Sequence, residues 1–194
     1  MIRATQSWSR TTFVAGTIIA SALSAPAQRG QMPPGEGFRN PYAWPSLVEL
    51  VERADTIVAG EVMEMRSAWT ADRREIFTTV TLRPDRRFKG GDGSLIRFRI
   101  PGGAVGDTRL MVTHSPVFAI GEQALVFLAE DGGRLPRVVG GEAGKRHIRI
   151  GEDGEEALLP GFSLSEAGRG RIGLSTLDDL ASAMPRLLGA TQSR

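Results

Sequence analysis

The chain has 194 residues, with 24 Lys or Arg, 22 Asp or Glu, two His and no Cys. Without cysteine there is no disulfide, no thiolate zinc ligand and no cysteine nucleophile, so an apolar core must hold the fold. The charges nearly balance, at a formal +2.

The first segment reads as a secretory signal peptide. Arg3 and Arg10 form a basic start with no acidic residue before Glu36, and "FVAGTIIASAL" (13–23) is an apolar run. Ala25 and Ala27 then place small residues at the positions a signal peptidase reads, so cleavage is expected after Ala27, leaving Gln28 first. The run is shorter than the roughly 20 apolar residues a membrane-spanning helix needs. A single arginine in "SRTTF" does not make a twin-arginine signal, and no cysteine follows for lipid attachment. The mature chain is therefore expected to be secreted or periplasmic, with no transmembrane segment. Losing Arg3 and Arg10 leaves 22 basic residues against 22 acidic, which removes the charge signature of a nucleic-acid binder.

Residues 28–45 carry seven Gly or Pro and read as an extended linker, with Phe38, Tyr42 and Trp44 as docking residues. In 46–54, Ser46 and Glu49 have capping-box spacing, so a short helix follows. Residues 55–69 suit a long strand, with Gly60 marking a bend or bulge. After a polar turn at 70–75, residues 76–88 alternate. Ile76, Thr78, Val80 and Leu82 share one face, and Pro84 disturbs the ladder.

"RRFKGGDGSLIRFRIPGG" (86–103) has the glycines and arginines of a nucleotide site. A phosphate cradle uses the free amides of a helix start. Here "SLIRFRI" (94–100) alternates as a strand and no Gly-Lys-Ser/Thr follows, so "GGDG" is expected to be a hairpin turn between antiparallel strands. Arg86, Arg87, Lys89, Arg97 and Arg99 would then form the solvated face of that hairpin or a basic ligand patch; adding Arg83 gives the weaker nucleic-acid reading.

Residues 101–107 make a further turn, 108–113 a strand, and "ALVFLAE" (124–130) a central strand buried on both faces. The Gly-rich stretch 140–173 includes short strands at 145–150 and 156–162. The terminal helix, 175–189, has Ser175 as its expected cap, Asp178 and Asp179 in its first turn, and Pro185 expected to kink or shorten it. Residues 46–190 thus form one mainly β domain. The expected fold is a small antiparallel OB-like Greek-key barrel with a short N-terminal helix and a C-terminal helix, the alternative being a β-sandwich. Val80, Leu82, Ile96, Phe98, Leu125 and Phe127 are the expected core.

Catalytic constellations are missing. There is no Gly-x-Ser-x-Gly elbow, the Asp-Thr of 55–56 lacks the glycine of an aspartic protease, and adjacent Glu155 and Glu156 would face opposite sides of a strand. No cofactor motif occurs. His114 and His147 lie 33 positions apart without zinc-ligand spacing. A hydrolase or metal-dependent enzyme would have to assemble His114, His147 and Glu122 from scattered positions.

"RADTIVAGEVMEM", "IFTTVTLRPDRRFKGG", "LIRFRIPGG" and "FAIGEQALVFL" follow in order within 47–128. This succession resembles the netrin-type module of the tissue inhibitors of metalloproteinases and complement C-terminal domains, and also secreted bacterial proteins of unassigned function. The resemblance implies a five-stranded oligosaccharide/oligonucleotide-binding barrel with flanking helices. The inhibitors chelate zinc through an N-terminal cysteine; this chain has none, so that mechanism does not carry over. The leading expectation is a secreted, non-catalytic binding or accessory module for an extracytoplasmic ligand or protein, without nucleic acid.

Overall fold

The computed structural model describes residues 44–166 and 170–192. The signal-peptide positions Ala25, Ala27 and Gln28, and the linker up to residue 43, lie outside the described residues.

Helix α1 (Leu47–Arg53) starts at the expected capping box: the Glu49 amide donates to Ser46 Oγ (3.3 Å) and the Ser46 amide to Glu49 Oε2 (2.9 Å). Its exit is closed by Lys89, whose Nζ donates to the carbonyls of Val51 (3.0 Å) and Ala54 (2.5 Å). Strands β1 (Thr56–Trp69) and β2 (Ile76–Lys89) form a long antiparallel pair, shifted in register between Ala59 and Gly60. Gly60 is required there, because a Cβ would sit 2.1 Å from the Arg83 carbonyl oxygen.

The remaining elements are β3 (Ile96–Pro101), β4 (Gly103–Val105), β5 (Thr108–Leu110), β6 (Gln123–Asp131), β7 (Arg134–Val138), a 3-10 turn (Gly141–Gly144), β8 (Lys145–Ile150), β9 (Glu156–Glu166), β10 (Gly170–Thr176) and α2 (Leu177–Gln192). Strand β1 pairs with both β2 and β6, so the order β1-β2-β3-β7-β6 returns to β1 and closes a five-stranded barrel. This is the OB-like barrel rather than the open-edged sandwich. It is not wholly antiparallel: β3 and β7 run parallel and share a single register pair, Arg99 opposite Arg137. The free edge of β6 divides, β7 taking Leu128–Asp131 and β8 taking Ala124–Val126, and β8-β9-β10 leave the barrel as an extension.

Closure gives two cores. Val58, Val62, Val80, Leu82, Phe98 and Val126 fill the barrel. Ile57, Ala59, Leu125 and Phe127 face outward, beneath Leu50 of α1, Phe162 of β9 and Leu180 of α2. Residues 57–60 of β1 and 124–128 of β6 are thus buried on both faces, which is why "ALVFL" is apolar without alternation. All six expected core residues are buried; Leu125 and Phe127 belong to the outer core.

Several local expectations change. Pairing of β2 with β3 ends at Leu82–Ile96, while β2 continues along β1 to Lys89, so "GGDG" belongs to a long connection, not a tight hairpin. Gly90 (φ 54°) and Gly91 (φ 76°) adopt the left-handed conformation and Gly93 does not. The strand expected over 108–113 stops at Leu110, β9 continues to Glu166, and β10 is an additional strand. Thr176, not Ser175, accepts the Asp179 amide (3.0 Å) at the start of α2. Pro185 does not shorten α2, whose Leu180, Met184 and Leu187 pack into the outer core on both sides of it.

Candidate functional site

A barrel wall held by one register pair leaves room between its strands. At the β3–β7 seam lies a cavity of about 400 Å³, with Pro101, Pro116 and Val138 in its wall and Arg99, Arg137 and Asp131 among its polar groups. The alternation of β3 positions Arg99. Phe98 and Ile100 point into the barrel, so Arg99 points out, its guanidinium 4.8 Å from the centre of the Phe77 ring. Arg99 Nη2 also donates a hydrogen bond to Asp131 Oδ2, and both side chains are largely shielded, at 20% and 32% exposure. That hydrogen bond, opposed by burial and aided by the charges of Arg99, Arg137 and Arg134, holds the Asp131 carboxyl below its usual range.

The opposite wall is the 113–116 loop. His114 adopts φ 60°, its carbonyl accepts the Glu142 amide (2.9 Å), and its ring meets Trp44 edge-on at 6.0 Å. Gly141 has to be glycine, since a Cβ would come within 2.4 Å of the His114 carbonyl oxygen. Ser115 Oγ donates to the Pro101 carbonyl (2.7 Å), tying the loop to the end of β3.

Of the basic residues singled out in the sequence, only Arg99 lies at this cavity. Arg86 pairs with Glu156 (3.1 Å) and Asp178 (2.8 Å), and the Asp178 hydrogen bond is the main cause raising its pKa. Arg87 donates to the Gly93 carbonyl (2.6 Å), Arg83 pairs with Glu61 (2.5 Å), and Lys89 closes α1. Arg97 is exposed on β3. These residues are not gathered into one patch, because β2 beyond Leu82 leaves β3 and meets acids from β9 and α2 instead. Arg134 and Arg137 add two further arginines, both exposed, from β7 "RLPRV".

Two members of the scattered enzymatic set do meet. His147 Nδ1 lies 3.0 Å from Glu122 Oε1, and Lys145 Nζ lies 2.5 Å from the same oxygen. The Ala119 amide donates to Glu122 Oε2 (3.0 Å). Burial pushes the Glu122 carboxyl up, but the Lys145 and His147 hydrogen bonds, the Lys145 charge and the Ala119 amide outweigh it, so its pKa is lowered. Lys145 also stacks over Phe118 (4.5 Å). His114 is held at the seam, apart from this cluster. Among the described residues no group of three or more His, Asp or Glu is arranged to hold a metal ion, and no helix is long and apolar enough to cross a membrane.

Comparison with family models, curated proteins and solved structures gave no match.

Proposed function

We propose that the chain is an exported binding module whose ligand seats in the β3–β7 seam cavity. One observation carries this reading: an otherwise closed barrel opens at a seam of one register pair, into a cavity where arginines, a carboxylate and apolar side chains converge. Its volume, about 400 Å³, falls within the roughly 300–1,000 Å³ range of small-molecule sites. The closed barrel with flanking helices also supports the likeness to netrin-type modules, and the balanced charge of the mature chain supports a ligand other than nucleic acid. Chemical-shift mapping against a fragment library tests the site. Shifts should cluster at residues 99–101, 113–116 and 137–141; hits confined to other surfaces would overturn it.

The enzymatic alternative has its own observation, the Glu122–His147 contact. Both Glu122 oxygens are already engaged, by Lys145 and His147 on one and by the Ala119 amide on the other. The carboxylate therefore works as a fastener between the 119–122 turn and β8 rather than as a free base. Native mass spectrometry after zinc addition separates the readings: one bound metal, lost in His147→Ala, favours the enzyme.

A further inference from the structure

Arg99 and Arg137 are direct partners across the parallel seam. Their side chains leave the same face of the sheet, and like charges directly opposite each other are unfavourable. One carboxylate, Asp131, answers three guanidinium groups. It is hydrogen-bonded to Arg99 and stands opposite Arg134 in the β6–β7 ladder. Among the described residues Arg137 has no hydrogen bond and no ion pair of its own, yet it borders the cavity. A guanidinium with its planar fork unspent, next to a cavity of small-molecule size, suits a two-oxygen anionic group. Close by, Phe77, Pro101 and Pro116 give the cavity an apolar wall.

We propose that the seam cavity takes a small organic oxyanion. Its phosphate or carboxylate headgroup sits on Arg137 beside Arg99, and its apolar body lies against Phe77 and the two prolines. The Asp131–Arg99 pair is the internal counterpart of that contact: it holds the Arg99 guanidinium and leaves that of Arg137 for the ligand. This proposal rests on the reading of the seam as the ligand site.

The probes are phenyl phosphate, benzoate and benzyl alcohol, titrated into the full chain at low salt by calorimetry, with amide shifts recorded in parallel. One or both anions should bind saturably, more weakly as salt rises, and benzyl alcohol should not bind. Arg137→Ala should weaken the anion by about tenfold or more, and Arg137→Lys, which keeps charge but loses the fork, by less. Asp131→Asn should tighten binding, because a competing negative charge is removed. Arg149→Ala, exposed on β8 outside the cavity wall, should leave affinity unchanged. Circular dichroism identifies any variant that fails to fold, and the Lys and Asn variants then carry the test. Equal binding of the anions to wild type and Arg137→Ala overturns the proposal. Benzyl alcohol binding as well as the anions, with shifts at the seam, overturns the anion assignment and keeps the cavity. Shifts only away from the seam overturn both.

Discussion

Phe98→Ala probes the barrel interior at one point. Phe98 is fully buried and meets Phe118 edge-to-face, with ring centres 5.3 Å apart. Returning a phenyl side chain to water costs about 2–3 kcal/mol. If about 60 Å³ stays empty, the cavity adds about 1.4 kcal/mol at ~24 cal/mol per Å³. The lost aromatic pair adds about 0.5–1 kcal/mol. The sum is about 4–5 kcal/mol, a large part of the 5–15 kcal/mol a typical domain has. Urea unfolding, followed by tryptophan fluorescence and circular dichroism, measures it, with a lower midpoint at unchanged slope as the signature. A loss within about 0.5 kcal/mol, as at ordinary surface sites, would show that β3 presents its other face to the core.

Four further outcomes are expected. Lys89→Met should cost about 1–2 kcal/mol in urea unfolding, since two carbonyls at the α1 exit lose a charged donor. Gly91→Ala should destabilise by about 1 kcal/mol or more, because φ is 76° and a Cβ would meet Thr56 Cγ2 at 2.8 Å. Glu122 and Asp131 both have lowered pKa values, so the stability they contribute is present above the ordinary carboxylate pKa of about 4 and is lost as pH falls through their folded values. Unfolding measured from pH 7 to pH 3 should show that fall, and Glu122→Gln should flatten part of it. N-terminal sequencing of exported material should begin at Gln28; an intact Met1 would contradict export by signal cleavage.

What the sequence made legible was local. Ser46 and Glu49 sit three apart and cap α1 as that spacing requires. The alternation of Ile96, Phe98 and Ile100 marked the inner face of β3, and the unbroken "ALVFL" run marked a strand covered on both sides. Pairings between distant segments were not legible. Nothing in β1 announces β6 as its second partner, and without that pair the barrel does not close. Strand β10 hides among Gly170 and Gly173, whose low β-propensity masks it. The basic patch dissolved for the same reason: Arg86 finds Glu156 and Asp178, 70 and 92 positions further along the chain. Arg137 meets Arg99 only through the parallel pairing of β7 with β3, which no local pattern announces.

The most direct test is a crystal structure of the chain grown with phenyl phosphate. The headgroup oxygens should lie within about 3.2 Å of the Arg137 guanidinium, beside Arg99, with the phenyl ring against Phe77. An empty seam, with the ligand bound instead beside Trp44 and His147 or in the groove under Met111 and Val112, would contradict it.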